Sequence, residues 1–152
     1  MSQYIEFFVK SKEDNFTCID AYSRSNLVYR LLSDDMNVPY GKVKKITPAF
    51  LKEALNIAEG YRKNIVERQE NEKENINRIA SFNNSAQEKI DLIYEIQEIL
   101  DEYQASLDEM DAAMWFLRIM LSIVDNLEYE KNAGLYCGVE VGRPTLEDIV
   151  GE

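Results

Sequence analysis

The sequence feature that most constrains the fold is an unbroken heptad pattern of apolar residues in the second half of the chain. Ten apolar residues follow one another at alternating steps of three and four: Ile93, Ile96, Leu100, Tyr103, Leu107, Met110, Met114, Leu117, Leu121 and Val124. This spacing places them on one stripe of an α-helix, as in a coiled coil. The pattern predicts a helix from residue 86 to about residue 130.

A partner helix is predicted just before it. Thr47 followed by Pro48 is a strong helix start, because a hydroxyl caps the first turn and proline is tolerated at its first position. An apolar stripe follows at Leu51, Leu55, Ala58, Tyr61 and Ile65. The apolar stripe is then interrupted, because its next three positions are polar: Arg68, Glu72 and Asn75. Apolar residues resume at Ile76, Ile79 and Phe82.

The two helices are predicted to form a hairpin with its turn at residues 82–84. Ser85 and Glu88 have the spacing of a capping box at the start of the second helix. A turn centred near Asn83 would place residue i opposite residue 166−i, so that Leu51 faces Trp115.

The flanking segments predict a small sheet. Residues 3–22 are predicted to form a β-hairpin: residues 4–10 alternate in side-chain character, residues 11–15 form a polar turn, and residues 16–22 are rich in β-branched and aromatic side chains. Ser25 is predicted to cap a short helix, and a loop with the basic residues Lys42, Lys44 and Lys45 follows. Residues 135–141 are predicted to add a third strand, because a hairpin alone is marginally stable. The basic loop, near Arg24 and Arg30 in sequence, either binds an anion or docks against acids of the same chain.

The predicted fold is therefore α+β, mainly α, in a single domain over residues 1–152. A β-hairpin and a short helix occupy 1–46. A long antiparallel helical hairpin, or coiled-coil arm, occupies 47–131. A strand and a short C-terminal helix occupy 132–152. The sheet and the short helix are expected to cover the base of the hairpin, where residues 112–127 of the second helix are apolar on several sides; these include Trp115, Phe116, Ile119, Met120 and Ile123.

The outer part of the hairpin predicts a partner-binding surface. The second helix is apolar where the first helix offers charged and amide side chains, and an uncovered apolar stripe is typical of an interaction surface. The predicted partner-binding residues are Ile90, Leu92, Ile93, Ile96, Ile99, Leu100, Tyr103, Glu95, Glu98, Asp101 and Glu102. The stripe would be covered by a second copy in a homodimer, by a target protein, or by a kinked first helix of the same chain.

The negative net charge of the chain argues against nucleic acid as a direct partner. The chain has 28 acidic and 17 basic residues, a net charge of −11, and so repels nucleic acid phosphates. Residues 66–112 hold 13 acids and four bases. A solvated helical face explains this excess, and mimicry of a nucleic acid is the alternative. The N-terminus lacks a secretory signal and no apolar run is long enough to span a membrane, so we expect a cytoplasmic protein with Cys18 and Cys137 as free thiols.

The sequence argues against most catalytic chemistry. The chain has no histidine, which excludes a Ser-His-Asp triad and histidine metal ligands. Glu67, Glu70, Glu98 and Asp101 resemble the paired acidic signature of MazG-type nucleotide pyrophosphohydrolases, which hold magnesium. Their helical phase points them away from the apolar stripe, where they would not converge on one ion. We therefore predict no catalytic residue, metal or cofactor.

Residues 2–10 and 22–29 resemble the openings of small proteins of phages and prophages of Gram-positive bacteria. This resemblance implies no enzymatic activity. It raises the class of phage proteins that bind and block a host protein, including CRISPR nucleases. The predicted function is a non-enzymatic protein–protein interaction module in the host cytoplasm, such as an inhibitor of a host defence or nucleic-acid enzyme. The alternatives are a magnesium-dependent nucleotide pyrophosphohydrolase and a phage structural or assembly protein.

Overall fold

The computed structural model describes residues 3–11, 13, 15–127 and 133–150. The chain is mainly helical, with a small four-stranded antiparallel sheet and a pair of long helices. Its contacts divide it into two compact units. The sheet unit comprises residues 1–57 and 113–152, and the arm unit comprises residues 58–112.

The sheet contains the predicted N-terminal hairpin and the predicted third strand. Strands β1 (Tyr4–Lys10), β2 (Phe16–Ser23), β3 (Lys44–Lys45) and β4 (Gly134–Val139) lie in the order β2-β1-β4-β3, and each neighbouring pair is antiparallel. Strand β1 is central, and its pairing with β2 is interrupted by an irregularity between Phe7 and Phe8. The prediction that a C-terminal strand joins the hairpin is therefore confirmed.

Strand β3 corrects the prediction of a loop at the basic cluster. Lys44 pairs with Cys137 and Lys45 pairs with Tyr136. The Ile46 amide donates to the Leu135 carbonyl at 2.7 Å, which continues the pairing. Val43 and Ile46 on either side are fully buried, and their burial holds this basic segment against the sheet edge.

One face of the sheet packs against the C-terminal half of the second long helix. The ring of Phe116 makes edge-to-face contacts with Phe7 and with Tyr22, each with centroids 4.9 Å apart. Burial around the helix is incomplete, however. Trp115 is 65% exposed and Ile119 is 42% exposed, so the prediction that this helix is buried on several sides is wrong for these two residues.

The opposite face of the sheet has a small core of its own. Phe8, Val43 and Tyr136 are buried there, and Phe16, Val141 and Ile149 pack against them. A short 3₁₀ turn, Leu146–Asp148, follows β4. Its start is fixed by Thr145, whose amide donates to the Asp148 carboxylate at 2.7 Å, and it takes the place of the predicted C-terminal helix as a shorter element.

A short helix connects β2 to the rest of the sheet unit. Helix α1 (Leu27–Arg30) continues as a π-helical turn, Leu31–Asp35, and buries Val28, Tyr29, Leu31 and Leu32. Its cap is Asn26, whose side-chain oxygen accepts from the Val28 amide at 2.8 Å. The predicted cap, Ser25, instead bonds the Ser23 hydroxyl at 2.9 Å. An extended Asn26 reaches the free amide two residues ahead, which leaves Ser25 outside the helix.

The two long helices are α2 (Pro48–Ala80) and α3 (Ala86–Leu127). Helix α2 starts where predicted, because Thr47 Oγ1 accepts from the Phe50 amide at 3.1 Å. It is continuous through residues 66–75. Ser85 Oγ accepts from the Glu88 amide at 3.2 Å, as a capping residue does, while the Glu88 carboxylate accepts from Asn84 at 2.9 Å. The predicted last turn of α3, near residue 130, lies outside the described residues.

Candidate protein-binding surface on the second long helix

Two cross-helix contacts define the pairing of α2 and α3 in the arm unit. Arg62 Nε donates to Asp111 Oδ1 at 2.8 Å, and Gln69 Nε2 donates to Gln104 Oε1 at 3.2 Å. As the residue number rises along α2, the number of its partner on α3 falls, so the two helices run in opposite directions here. Residue i faces residue 173−i, which corrects the predicted register of 166−i by one heptad.

This pairing covers part of the predicted apolar stripe. Five of the predicted partner-binding residues are half-buried within the helix pair: Leu92, Ile93, Ile96, Leu100 and Tyr103. On α2, Gln69 and Ile79 are buried, whereas Arg68, which was predicted to lie on the stripe, is exposed. The expectation that the whole stripe is uncovered is therefore wrong for its central residues. The charged residues of α2 led us to expect an uncovered stripe, but a buried amide and aliphatic side chains of α2 cover its central residues.

Three apolar side chains of α3 stay in contact with solvent in the arm unit. Ile90 is 59% exposed and Ile99 is 37% exposed, and both belong to the predicted set. Tyr94 is 66% exposed and was not in the predicted set. Ile90 and Tyr94 are four residues apart and so share one face of the helix.

The net charge of the arm unit resides on α3 alone. Residues 86–112 contain nine acids and one base, while residues 58–80 of α2 contain five of each. All nine acids of residues 86–112 are exposed: Glu88, Asp91, Glu95, Glu98, Asp101, Glu102, Asp108, Glu109 and Asp111. We call the exposed side of residues 86–112 the acidic face; Tyr94 lies near its middle, and Ile90 and Ile99 lie at its two edges.

Several of these carboxylates are held by glutamines one turn earlier on the same helix. Gln87 donates to Asp91, Gln97 to Asp101 and Gln104 to Asp108, at 3.0, 3.2 and 3.1 Å. Of the predicted partner-binding acids, Asp101 is bonded in this way. Glu95, Glu98 and Glu102 make no hydrogen bond or ion pair with another residue in the described part of the chain. These three carboxylates are available to an external cation.

The four carboxylates that resemble the MazG signature do not form a metal site. Glu67, Glu70, Glu98 and Asp101 are all exposed, as their helical phase predicts. Glu70 Oε1 accepts from Lys73 Nζ at 3.4 Å on the same helix. Among the described residues, no group of three or more acids or cysteines is placed to hold a metal ion.

The basic segment of the sheet unit divides into exposed and docked side chains. Lys42 and Lys45 are exposed. Lys44 is half-buried, and its Nζ lies 4.8 Å from the centroid of the Phe50 ring. A cation over an aromatic face is a favourable contact. Lys44 is thus docked within its own chain, on an aromatic ring and not on the predicted acids.

Both cysteines are free thiols, as predicted. Cys18 is exposed on the edge strand β2, and partial burial together with the charge of Glu6 raises its pKa above the ordinary value. Cys137 is buried in β4, where burial raises its pKa to about 12 against the smaller, opposing effect of Lys44. Neither environment favours a nucleophilic thiolate at neutral pH.

No protein-family model matches the chain, and neither a curated protein nor a solved structure is significantly similar to it. Within the described ranges, neither long helix is apolar enough to cross a lipid bilayer.

Proposed function

We propose that the chain is a non-enzymatic protein-binding module whose acidic face binds a cationic surface of another protein. The observation that carries this proposal is the combination, in residues 86–112 of α3, of three exposed large apolar side chains with nine exposed acids and a single base. Solubility alone would account for the acids, but it does not account for Ile90, Tyr94 and Ile99 among them.

The apolar residues supply the gain in free energy. Burying apolar surface contributes about 25 cal/mol per Å². Tyrosine is common in the centres of interfaces, because its ring is large and its hydroxyl tolerates water. Ile90 and Tyr94, one turn apart, offer a ridge that fits an apolar groove or the apolar stripe of another helix.

The carboxylates select the partner. Glu95, Glu98 and Glu102 are uncompensated in the described structure, so lysines or arginines of a partner would be favourable neighbours. A second copy docked by the same face would bring nine acids against nine acids, and like charges facing one another oppose association. The homodimer predicted for this stripe is therefore disfavoured, and a cationic partner is favoured.

We also propose that α2 and α3 form an antiparallel coiled-coil hairpin in the arm unit. The heptad pattern of α3 and the contacts Arg62–Asp111 and Gln69–Gln104, seven residues apart on each helix, support this arrangement. Such a hairpin would hold the acidic face rigid. Less side-chain and backbone entropy would then be lost on binding.

The chemistry of the acidic face fits one partner class particularly well. Enzymes that act on nucleic acids carry basic grooves for phosphates. A row of carboxylates on a rigid helix would occupy such a groove in place of the nucleic acid. This fits the predicted class of a phage-encoded inhibitor of a host defence or nucleic-acid enzyme, acting in the host cytoplasm.

The proposal is tested with a synthetic amphipathic helical peptide that carries leucines on one face and lysines on the other. We expect the protein to bind this peptide, with an affinity that falls as salt is raised, and not to bind a matched peptide with glutamate for lysine. The triple variant Glu95→Lys, Glu98→Lys, Glu102→Lys should bind at least about tenfold more weakly, which is about 1.4 kcal/mol.

A matched control places the same charge change on the other helix of the arm unit. Glu67→Lys, Glu70→Lys, Glu74→Lys alters three exposed acids of α2 by the same total charge. It should retain most of the affinity for the peptide. Equal losses in the two triple variants would show that only net charge matters, and magnesium-dependent release of pyrophosphate from nucleoside triphosphates would contradict the non-enzymatic proposal.

A further inference from the structure

A second apolar surface lies on α3, within the sheet unit and outside the acidic face. Trp115 is 65% exposed, and Ile119, one turn later, is 42% exposed. Their neighbour Phe116 packs against the sheet, so α3 uses one side here to complete its own core and turns Trp115 and Ile119 to solvent. The proposed function makes no use of these two side chains.

The charge of this segment differs sharply from that of the acidic face. Residues 113–127 contain one base, Arg118, and one acid, Asp125, and so have no net charge. The like-charge repulsion that opposes self-association through the acidic face is therefore absent. An exposed tryptophan beside an exposed isoleucine on a helical surface of zero net charge is typical of an interface between protein chains.

Arg118 and Asp125 are the two charged side chains of this surface. Both are exposed, and neither makes a hydrogen bond or ion pair with another described residue. Arg118 and Asp125 are seven residues apart, which is close to two helical turns, so they lie on one stripe of the helix. Trp115, Ile119 and Ser122 lie next to this stripe. A base and an acid two turns apart are self-complementary under a two-fold axis.

We propose that this surface is the interface of a homodimer in which two copies of α3 cross in antiparallel directions near Ser122. A two-fold axis between residues 121 and 122 places Arg118 opposite the partner's Asp125 and Asp125 opposite the partner's Arg118. The central layers are offset by two residues from these flanking ion pairs, as in an antiparallel coiled coil. Ile119 then packs against the partner's Ser122, whose small side chain allows the helices to approach, and Trp115 packs against the partner's Asn126.

The expected dimer is weak. One helical face of 15 residues buries less area than the roughly 800 Å² per partner of a standard interface, so a dissociation constant in the micromolar range is expected. Trp115 supplies the largest contact, because a tryptophan buries about 150–250 Å². The two symmetry-related ion pairs determine the register and direction of the crossing more than its strength.

The test is sedimentation velocity on charge-reversal variants at about 100 µM, where a chain with a micromolar dissociation constant is mostly dimeric. Arg118→Asp and Asp125→Arg should each be monomeric, because each puts like charges opposite one another. An equimolar mixture of the two variants should form a heterodimer, since every facing pair is then of opposite sign. The double variant should recover the homodimer.

Two controls separate this interface from the acidic face. Circular dichroism should show that the exposed substitutions leave the helix content unchanged. The triple lysine variant at Glu95, Glu98 and Glu102 should remain as dimeric as the original chain, and Trp115→Ala should remain able to bind the lysine peptide. The proposal would be overturned if the original chain were monomeric at about 100 µM. It would also be overturned if each single charge-reversal variant dimerised as well alone as in the mixture.

Discussion

Gln69 Nε2 donates a 3.2 Å hydrogen bond to Gln104 Oε1 between the two helices of the arm unit, and Gln69 is buried while Gln104 is exposed. Among the described residues, the buried polar side chains are those of Gln69 and Lys10. A buried amide between two helices penalises other alignments of the pair, because a shift would leave the amide without a partner.

Replacing Gln69 with leucine should therefore stabilise the arm unit and weaken its specificity. We expect Gln69→Leu to raise the free energy of unfolding by about 1 kcal/mol, because apolar burial increases and Gln104 remains exposed to water and bonded to Asp108. Urea unfolding followed by circular dichroism measures this change. The exposed Asn71→Leu on the same helix is the control and should change stability by less than about 0.5 kcal/mol.

Two adjacent aromatic residues of α3 should respond in opposite ways to removal of the ring. Phe116 contacts both Phe7 and Tyr22 with centroids 4.9 Å apart, whereas Trp115 is exposed. We expect Phe116→Ala to cost about 3 kcal/mol of unfolding free energy and Trp115→Ala to cost less than about 0.5 kcal/mol in the monomer. Denaturant titration below about 1 µM, where a weak dimer dissociates, checks both values. Similar losses at the two positions would contradict the described orientation of α3.

Gly138 in β4 should tolerate no side chain. A Cβ at this position would overlap with the backbone oxygen of Lys42, and backbone cannot move aside as a flexible side chain does. We expect Gly138→Ala to cost about 3 kcal/mol or to prevent folding of the sheet unit.

The matched control is Gly60→Ala in α2, where the added Cβ meets open space. Alanine favours helix more than glycine does, so this variant should gain about 0.5–1 kcal/mol. Thermal unfolding of the two variants should shift the midpoint in opposite directions. A gain of stability in Gly138→Ala would show that the segment around Lys42 does not lie against β4.

The buried thiol of Cys137 makes stability depend on pH above about pH 9. Burial raises the pKa of Cys137 from 9.0 to about 12. In the unfolded chain the thiol ionises near pH 9, while the folded chain holds it neutral, so the free energy of unfolding falls as the pH rises between these two values. The expected slope is about 0.7 kcal/mol per pH unit at pH 9 and approaches about 1.4 kcal/mol per pH unit near pH 10 and above.

Urea unfolding at intervals between about pH 8 and pH 10 checks this slope. Cys137→Ala should lose it, while Cys18→Ala should keep most of it, because Cys18 is exposed. Burial and Asp20 also raise the pKa of Tyr22 to about 12, and this second contribution begins near pH 10 and persists in both variants. An unchanged slope in Cys137→Ala would assign the pH dependence to other groups.

The predictions from the sequence were most accurate where a pattern within a few neighbouring residues determines the secondary structure. Thr47–Pro48 and Ser85 predicted the starts of both long helices, because a cap and a proline act within one turn. The alternation of residues 4–10 and the β-branched and aromatic residues of 16–22 predicted the hairpin, because side chains of a strand point alternately to its two faces and such residues favour strands. The heptad stripe of α3 predicted a long helix for the same local reason.

The predictions were wrong where the structure of a segment depends on contacts with residues far away in the sequence. The register of α2 on α3 was wrong by one heptad, because a heptad pattern matches itself after a shift of seven residues, and only the polar contacts Gln69–Gln104 and Arg62–Asp111 distinguish the two alignments. Strand β3 was missed because two lysines lack the apolar character of a strand, and its pairing depends on the neighbouring buried residues Val43 and Ile46. The exposure of Trp115 and Tyr94 was not predictable from hydrophobicity, which describes a residue and not its surroundings.

The position of β1 has a consequence for synthesis on the ribosome. Strand β1 is hydrogen-bonded to β2 on one edge and to β4 on the other, and the Glu140 amide donates to the Tyr4 carbonyl at 3.0 Å. The residues that complete the sheet are therefore translated more than 120 positions after those that begin it. During that interval the nascent β1 has an open edge, and the two long helices emerge from the exit tunnel before the strand that shields it.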